Sequence, residues 1–138
     1  MLPIATRRVS IPVIDDTCRP ASPARRRVLF VNAEADLRTV VARVLESQDY
    51  DVRAVAHSGH AVLLGRTEQF DVLVAELSGP DVSGPTLAEQ LRRHCPGLAT
   101  VFVAYPGTPE GVDHVLVQPF TREDLLERIE LALANVTA

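Results

Sequence analysis

Short apolar runs and amphipathic stretches alternate along the chain from residue 28 onward. The apolar runs are Val28 to Val31, Val52 to Val55, Val72 to Ala75, Thr100 to Ala104 and Val115 to Val117, all of strand length. Near-continuous apolar strands separated by helical segments are the pattern of a parallel sheet covered on both faces, which predicts a doubly wound α/β domain. In the first amphipathic segment Leu37, Val40, Val41, Val44 and Leu45 recur at spacings of three and four, with Asp36, Arg38, Arg43 and Glu46 mostly off that stripe. The spacing predicts a helix with the stripe as its core face. Further helices are expected across Gly59 to Glu68, Pro85 to His94 and Arg122 to Asn135. Pro85 suits a first helical turn, and Thr121 with Asp124 three residues on makes a partial capping box. The fourth crossover breaks the rhythm. Tyr105 to Asp113 include Pro106, Gly107, Pro109 and Gly111, and a crossover with its own helix needs at least about 10 to 12 residues. A loop, or at most one helical turn, is expected there, leaving the fourth helix shortened or missing.

Residues 1–24 have no sustained period and carry Pro3, Pro12, Pro20 and Pro23, the composition of a flexible tail. Val9 to Ile14 is its most strand-like stretch, although Pro12 lacks the amide donor a sheet edge would use. Arg25, Arg26 and Arg27 read as a solvated charge run marking the boundary of a single domain over 25–138. An apolar content of 46% in 138 residues is enough for one core. A net charge of -4 disfavours nucleic acid and acidic membranes and points to protein partners. All 14 basic residues other than histidine are arginine, so the chain has no Schiff-base amine and no phosphate-binding ammonium. Cys18 and Cys95 fit neither a zinc site nor a disulfide framework. No apolar stretch reaches the roughly 18 residues of a membrane helix, and a cytoplasmic protein is expected.

Three stretches together resemble the receiver domain of response regulators, a CheY-like family of two-component signalling. They are Val28-Leu-Phe-Val-Asn-Ala-Glu-Ala-Asp-Leu-Arg38, Phe70-Asp-Val-Leu-Val-Ala-Glu-Leu-Ser-Gly-Pro-Asp-Val-Ser-Gly84 and Val117-Gln-Pro-Phe-Thr121. Pro96-Gly-Leu98 and the run from Gln118 to Leu126 bring the receivers of hybrid histidine kinases nearest. The resemblance implies a flavodoxin-like fold with five parallel strands in the order 2-1-3-4-5. It also implies a pocket in which an acidic pair helps bind magnesium, an aspartate accepts phosphate, and a hydroxyl residue and a lysine complete the site. At the matching positions this chain has Asn32 and Ala33, Glu76, Ala104 and Gln118; Glu34 stands where a further acidic residue often follows the pair. The fifth-strand aromatic that follows the hydroxyl residue inward corresponds to Val115. Tyr105, next to Ala104, is either a substitute for it or a packing residue at a strand end.

The replacements remove what phosphoryl transfer depends on, which is positioning and charge neutralisation by a metal and a cation. Glu76 alone would bind magnesium weakly at best. Its extra methylene shifts a nucleophile by about 1.5 Å, where misplacements near 1 Å cost about a hundredfold. Glu76 is either a built-in mimic of the phosphorylated state or a solvated carboxylate at the sheet edge. The expected function is a phosphorylation-independent pseudo-receiver, a non-enzymatic interaction module without a cofactor in bacterial signalling. Its partner would be a histidine kinase or another signalling domain, with a homodimer as a further option, and Arg38 and Arg128 on the first and last helices would take part in docking. Two alternatives remain: a receiver that still accepts phosphate on Glu76, and a small-ligand-binding domain with a deep pocket lined by Asn32, Glu34, Glu76 and Ala104. His57, His60, His94 and His114 have no ligand cluster around them and read as structural or surface residues. Gly79-Pro80-Asp81 reads as a turn, and Arg7-Arg8-Val9-Ser10 as a weak phosphorylation pattern.

Overall fold

A computed structural model describes residues 25–78, 82–106 and 115–137. Five strands, β1 (Arg27–Val31), β2 (Asp51–Val55), β3 (Val72–Glu76), β4 (Ala99–Ala104) and β5 (Val115–Val117), form one parallel sheet in the order β2-β1-β3-β4-β5. Among the described residues four helices accompany them: α1 (Ala35–Glu46), α2 (Ser58–Thr67), α3 (Gly84–Arg92) and α4 (Arg122–Thr137). This is the flavodoxin-like, CheY-like architecture and strand order that the resemblance implied. The expected tail at 1–24, the turn at 79–81, His114 and most of the loop between β4 and β5 lie outside the described residues.

Alternation along the strands sorts side chains onto two faces. Val28, Phe30, Val72, Val74, Val101, Val103 and Leu116 meet Val41 and Leu45 of α1 and Leu125, Ile129 and Ala132 of α4. Leu29, Val31, Leu73, Ala75 and Phe102 meet Ala61 of α2 and Leu87, Ala88 and Leu91 of α3. At about 1.5–3 kcal/mol for each large apolar side chain taken from water, these two layers dominate the stability of the sheet. The helix starts follow their sequence signals. Ser83 caps α3 by accepting the Thr86 N–H at 3.3 Å, with Pro85 in the first turn. Thr121 and Asp124 form a full reciprocal box before α4, at 3.1 and 3.0 Å.

Two expectations are corrected. Arg27 is not part of a solvated run. It opens β1, its side chain is only 18% exposed, and it pairs with Asp51 at 3.3 Å and with Glu68. Its guanidinium also lies 5.2 Å from the Phe70 ring centroid, and its backbone N–H donates to Asp71 at 2.8 Å. Parallel strands bring Asp51 of β2 and Glu68 and Asp71 of the α2–β3 connection to the amino edge of the sheet, where the Arg27 guanidinium pairs with the first two and Arg53 also pairs with Glu68 at 3.2 Å. The apolar stripe of α1 is also not all core: Val41 and Leu45 are buried, Leu37 and Val44 are partly buried, and Val40 is 58% exposed. At about 100° per residue Val40 sits about 100° from Val41 around the helix, too far to reach the sheet.

Candidate functional site

The carboxyl ends of β1 and β3 place Asn32 and Glu76 side by side. Asn32 follows β1, donates its backbone N–H to Val55 at 3.0 Å and is only 4% exposed. Its Oδ1 accepts the Glu34 N–H at 2.9 Å, a local Asx turn that fixes the amide orientation, since the reversed amide would set N–H against N–H. Nδ2 is buried and has no partner among the described residues. The Asn32 carbonyl in turn accepts from Arg38 Nη1 at 2.8 Å. Thus Arg38, expected at a docking surface, holds the end of β1 as well.

Asn32, Ala33 and Glu76 line a cavity of about 20 Å³ with Ala56, Ser58 and Gly84. That is the size of one water molecule. Gly84 keeps it narrow, because a Cβ there would lie 2.5 Å from Phe102 Cδ1 and 2.7 Å from the Glu76 carbonyl oxygen. Burial raises the Glu76 carboxyl above the ordinary glutamate value; a hydrogen bond with Tyr105 opposes the shift and the nearby charge of Glu34 reinforces it. Tyr105 is 57% exposed but is thereby joined to Glu76 across the end of the sheet. Ala104 is buried at the end of β4, and its carbonyl accepts the Gln118 N–H at 2.8 Å. Val115 pairs with Phe102 and is partly buried.

The structure therefore gathers Asn32, Ala33 and Glu76 around one cavity, with Glu34 close enough to act on Glu76, and leaves Ala104 and Gln118 off its lining. Gln118 instead lines a second, larger groove of about 260 Å³, together with Leu37, Val40, Val44, Pro119, Phe120 and Arg122. Arg128 is exposed on α4. Sequence reasoning missed the groove and the buried donor of Asn32 that has no partner among the described residues. The signal for the donor was present: an Asn two residues before a free helix-leading amide favours an Asx turn. The groove had no comparable signal, because apolar spacing does not say which edge of a stripe a sheet covers.

Among the described residues the ring of groups fits magnesium poorly. Magnesium wants oxygen ligands in near-octahedral array. Here Asn32 has its oxygen engaged and carries an unpartnered N–H, Ala33 has no donor, and burial disfavours the charged form of Glu76. Among the described residues no group of three or more His, Cys, Asp or Glu side chains is placed to hold a metal.

A doubly wound parallel sheet in the order β2-β1-β3-β4-β5, with polar residues gathered at the carboxyl ends of β1 and β3, is a flavodoxin-like domain whose candidate site lies where such sheets bind ligands. Residues 28–130 match the response regulator receiver domain, and the chain belongs to that family. It is 25% identical to the probable transcriptional regulatory protein TcrX of Mycobacterium tuberculosis, covering 77% of this chain and 49% of that protein. It is 23% identical to the cell cycle response regulator CtrA of Brucella ovis, covering 75% and 48%. The chain thus spans about half the length of these curated relatives. Among solved structures, a CheY-like receiver from Methanospirillum hungatei JF-1 superposes with a TM-score of 0.72 at 23% identity, covering 83% of this chain and 98% of that one. The receiver of the hybrid histidine kinase CckA does so with 0.65 at 27%, covering 78% and 98%.

Proposed function

We propose that this receiver works without phosphorylation, as a protein-interaction module of two-component signalling. The observation that carries the reading is the inverted polarity at Asn32: where a receiver needs a metal-binding oxygen, this chain sets a buried N–H with no partner among the described residues. With no lysine in the chain, no ammonium can balance a phosphoryl group on Glu76. A cavity of about 20 Å³ that leaves out Glu34 and Ala104 also counts against a small-ligand domain. The chain binds rather than catalyses, in the cytoplasm, and its partner is a histidine kinase or another signalling domain.

The layer formed by α1 and α4 supports docking best, since it carries the 260 Å³ apolar groove and the exposed Arg128. Incubation with acetyl phosphate and magnesium tests the chemistry: intact mass should stay unchanged. A phosphoryl adduct present on the wild type and missing from Glu76→Gln would overturn the proposal. For docking, Arg128→Glu should weaken capture of a cognate kinase without loss of folding, read by circular dichroism alongside. Unchanged capture would remove that face. Arg38 is a poorer probe, since reversing its charge also breaks its bond to Asn32.

A further inference from the structure

The cavity at the ends of β1 and β3 is lined by hydrogen-bond donors that the fold leaves without acceptors. Asn32 is only 4% exposed, and with Oδ1 tied to the Glu34 N–H its Nδ2 has no partner among the described residues. The amide sets Nδ2 on the other side of Cγ from that turn, toward the cavity that Asn32 lines. The start of α2 lies on the same cavity through Ser58. A helix N-terminus carries about half a positive charge. In α2 nothing local offsets it: the N-cap residue His57 makes no side-chain cap and the first turn has no acidic residue, whereas α3 is capped by Ser83. Glu76, the carboxyl on the lining, is held toward its neutral form by burial, and a neutral carboxyl donates an O–H. Glu34 is exposed and off the lining, and the Arg38 guanidinium on the Asn32 carbonyl offsets its charge. At about 20 Å³, narrowed by Gly84, the cavity admits one atom of about the size of a water and no polyatomic ion.

We propose that this cavity binds a single halide ion, chloride by preference, held by Asn32 Nδ2, the positive end of α2 and the neutral Glu76 carboxyl. The ion satisfies the buried Asn32 donor and ties the ends of β1 and β3 together without a metal. Binding is coupled to a proton, because ionised Glu76 repels the halide. Affinity therefore falls as pH rises through the folded value of Glu76. The other titratable or charged groups around Glu76 are Glu34 of α1, His57 at the start of α2, Arg38 and Tyr105. The inference rests on the reading above, in which Asn32 no longer offers a metal-binding oxygen.

The test is sodium chloride titration of the full chain by NMR against sodium gluconate at equal ionic strength. It is run at pH 4.5, the ordinary glutamate value, where folded Glu76 is mostly protonated, and again at neutral pH. The Asn32 Nδ2 protons and the Ser58 amide should shift saturably with chloride at pH 4.5, more weakly at neutral pH, and not with gluconate. Asn32→Asp, which replaces the donor with an acceptor, should abolish the shifts. Glu76→Gln, which keeps a neutral donor at every pH, should retain them and remove their pH dependence. No chloride-specific shift at either pH, or its survival in Asn32→Asp, overturns the proposal. A pH dependence that survives in Glu76→Gln assigns the proton to His57 and overturns the coupling. Magnesium gluconate added to the same sample separates the two readings: shifts at Glu76 would contradict the proposed function, whereas flat spectra with both magnesium and chloride would sink the halide site alone.

Discussion

At the scale of single residues, Glu76 and Gly84 make the site what it is. The Glu76 carboxyl is raised by burial, with the Tyr105 hydrogen bond opposing. The folded protein therefore holds this proton over a range in which the unfolded chain, at the ordinary value of 4.5, has released it. The stability it lends is fully present below 4.5 and is lost as pH rises through the folded value. Glu76→Gln should flatten that part of the pH–stability curve, and chemical denaturation from acid to neutral pH reads it; an unaltered slope would show that Glu76 is solvated. Gly84→Ala should destabilise the domain by about 1–3 kcal/mol, because its Cβ would meet the Glu76 backbone and the buried Phe102 ring. Those two neighbours are fixed by the sheet, so relief by side-chain rotation alone is not available. Glu68 behaves oppositely to Glu76. Burial pushes it upward, but hydrogen bonds from Arg27 and Arg53 outweigh this and hold it below its ordinary value. Its contribution is present above 4.5 and is lost as pH falls through the folded value, so Glu68→Gln should weaken the protein at neutral pH and matter little in strong acid.

At the scale of elements, α1 shows both what the sequence made legible and where legibility ended. Strand runs and helix stripes were readable because burial on two faces demands apolar runs and a packed helix demands a 3.6-residue period. Every expected strand and helix of the described residues is present, with ends displaced by a residue or two, where fraying and capping decide. What periodicity cannot give is the angle at which a helix meets the sheet. Leu45 went inward and Val40 did not. Leu45→Ala should therefore cost about 2–5 kcal/mol, whereas Val40→Ser, a change at a largely exposed site, should stay within about 0.5 kcal/mol. Urea denaturation of the two variants separates the cases, and a loss at Val40 as large as that at Leu45 would contradict its exposure. Arg27 was illegible for a related reason: its three carboxylate partners come from positions 51, 68 and 71, and only the parallel register brings them together.

At the scale of the whole molecule, the chain keeps the receiver scaffold, and the positions that match the receiver pocket hold Asn32, Ala33, Glu76, Ala104 and Gln118. The sheet order, the helix layers and the reciprocal cap before α4 are those of a working domain. The six positions of the implied pocket could be read by number, but that Asn32, Ala33 and Glu76 line a small cavity while Gln118 lines a separate groove could not, because it depends on where Gln118 points after β5. On the proposed function, nothing at the end of β3 binds magnesium or accepts a phosphoryl group. Magnesium titration by NMR with and without beryllofluoride, following the amides of Asn32, Glu76, Ala104 and Gln118, tests this most directly. The spectra should not change at any magnesium concentration; saturable shifts centred on Glu76 would contradict the proposed function.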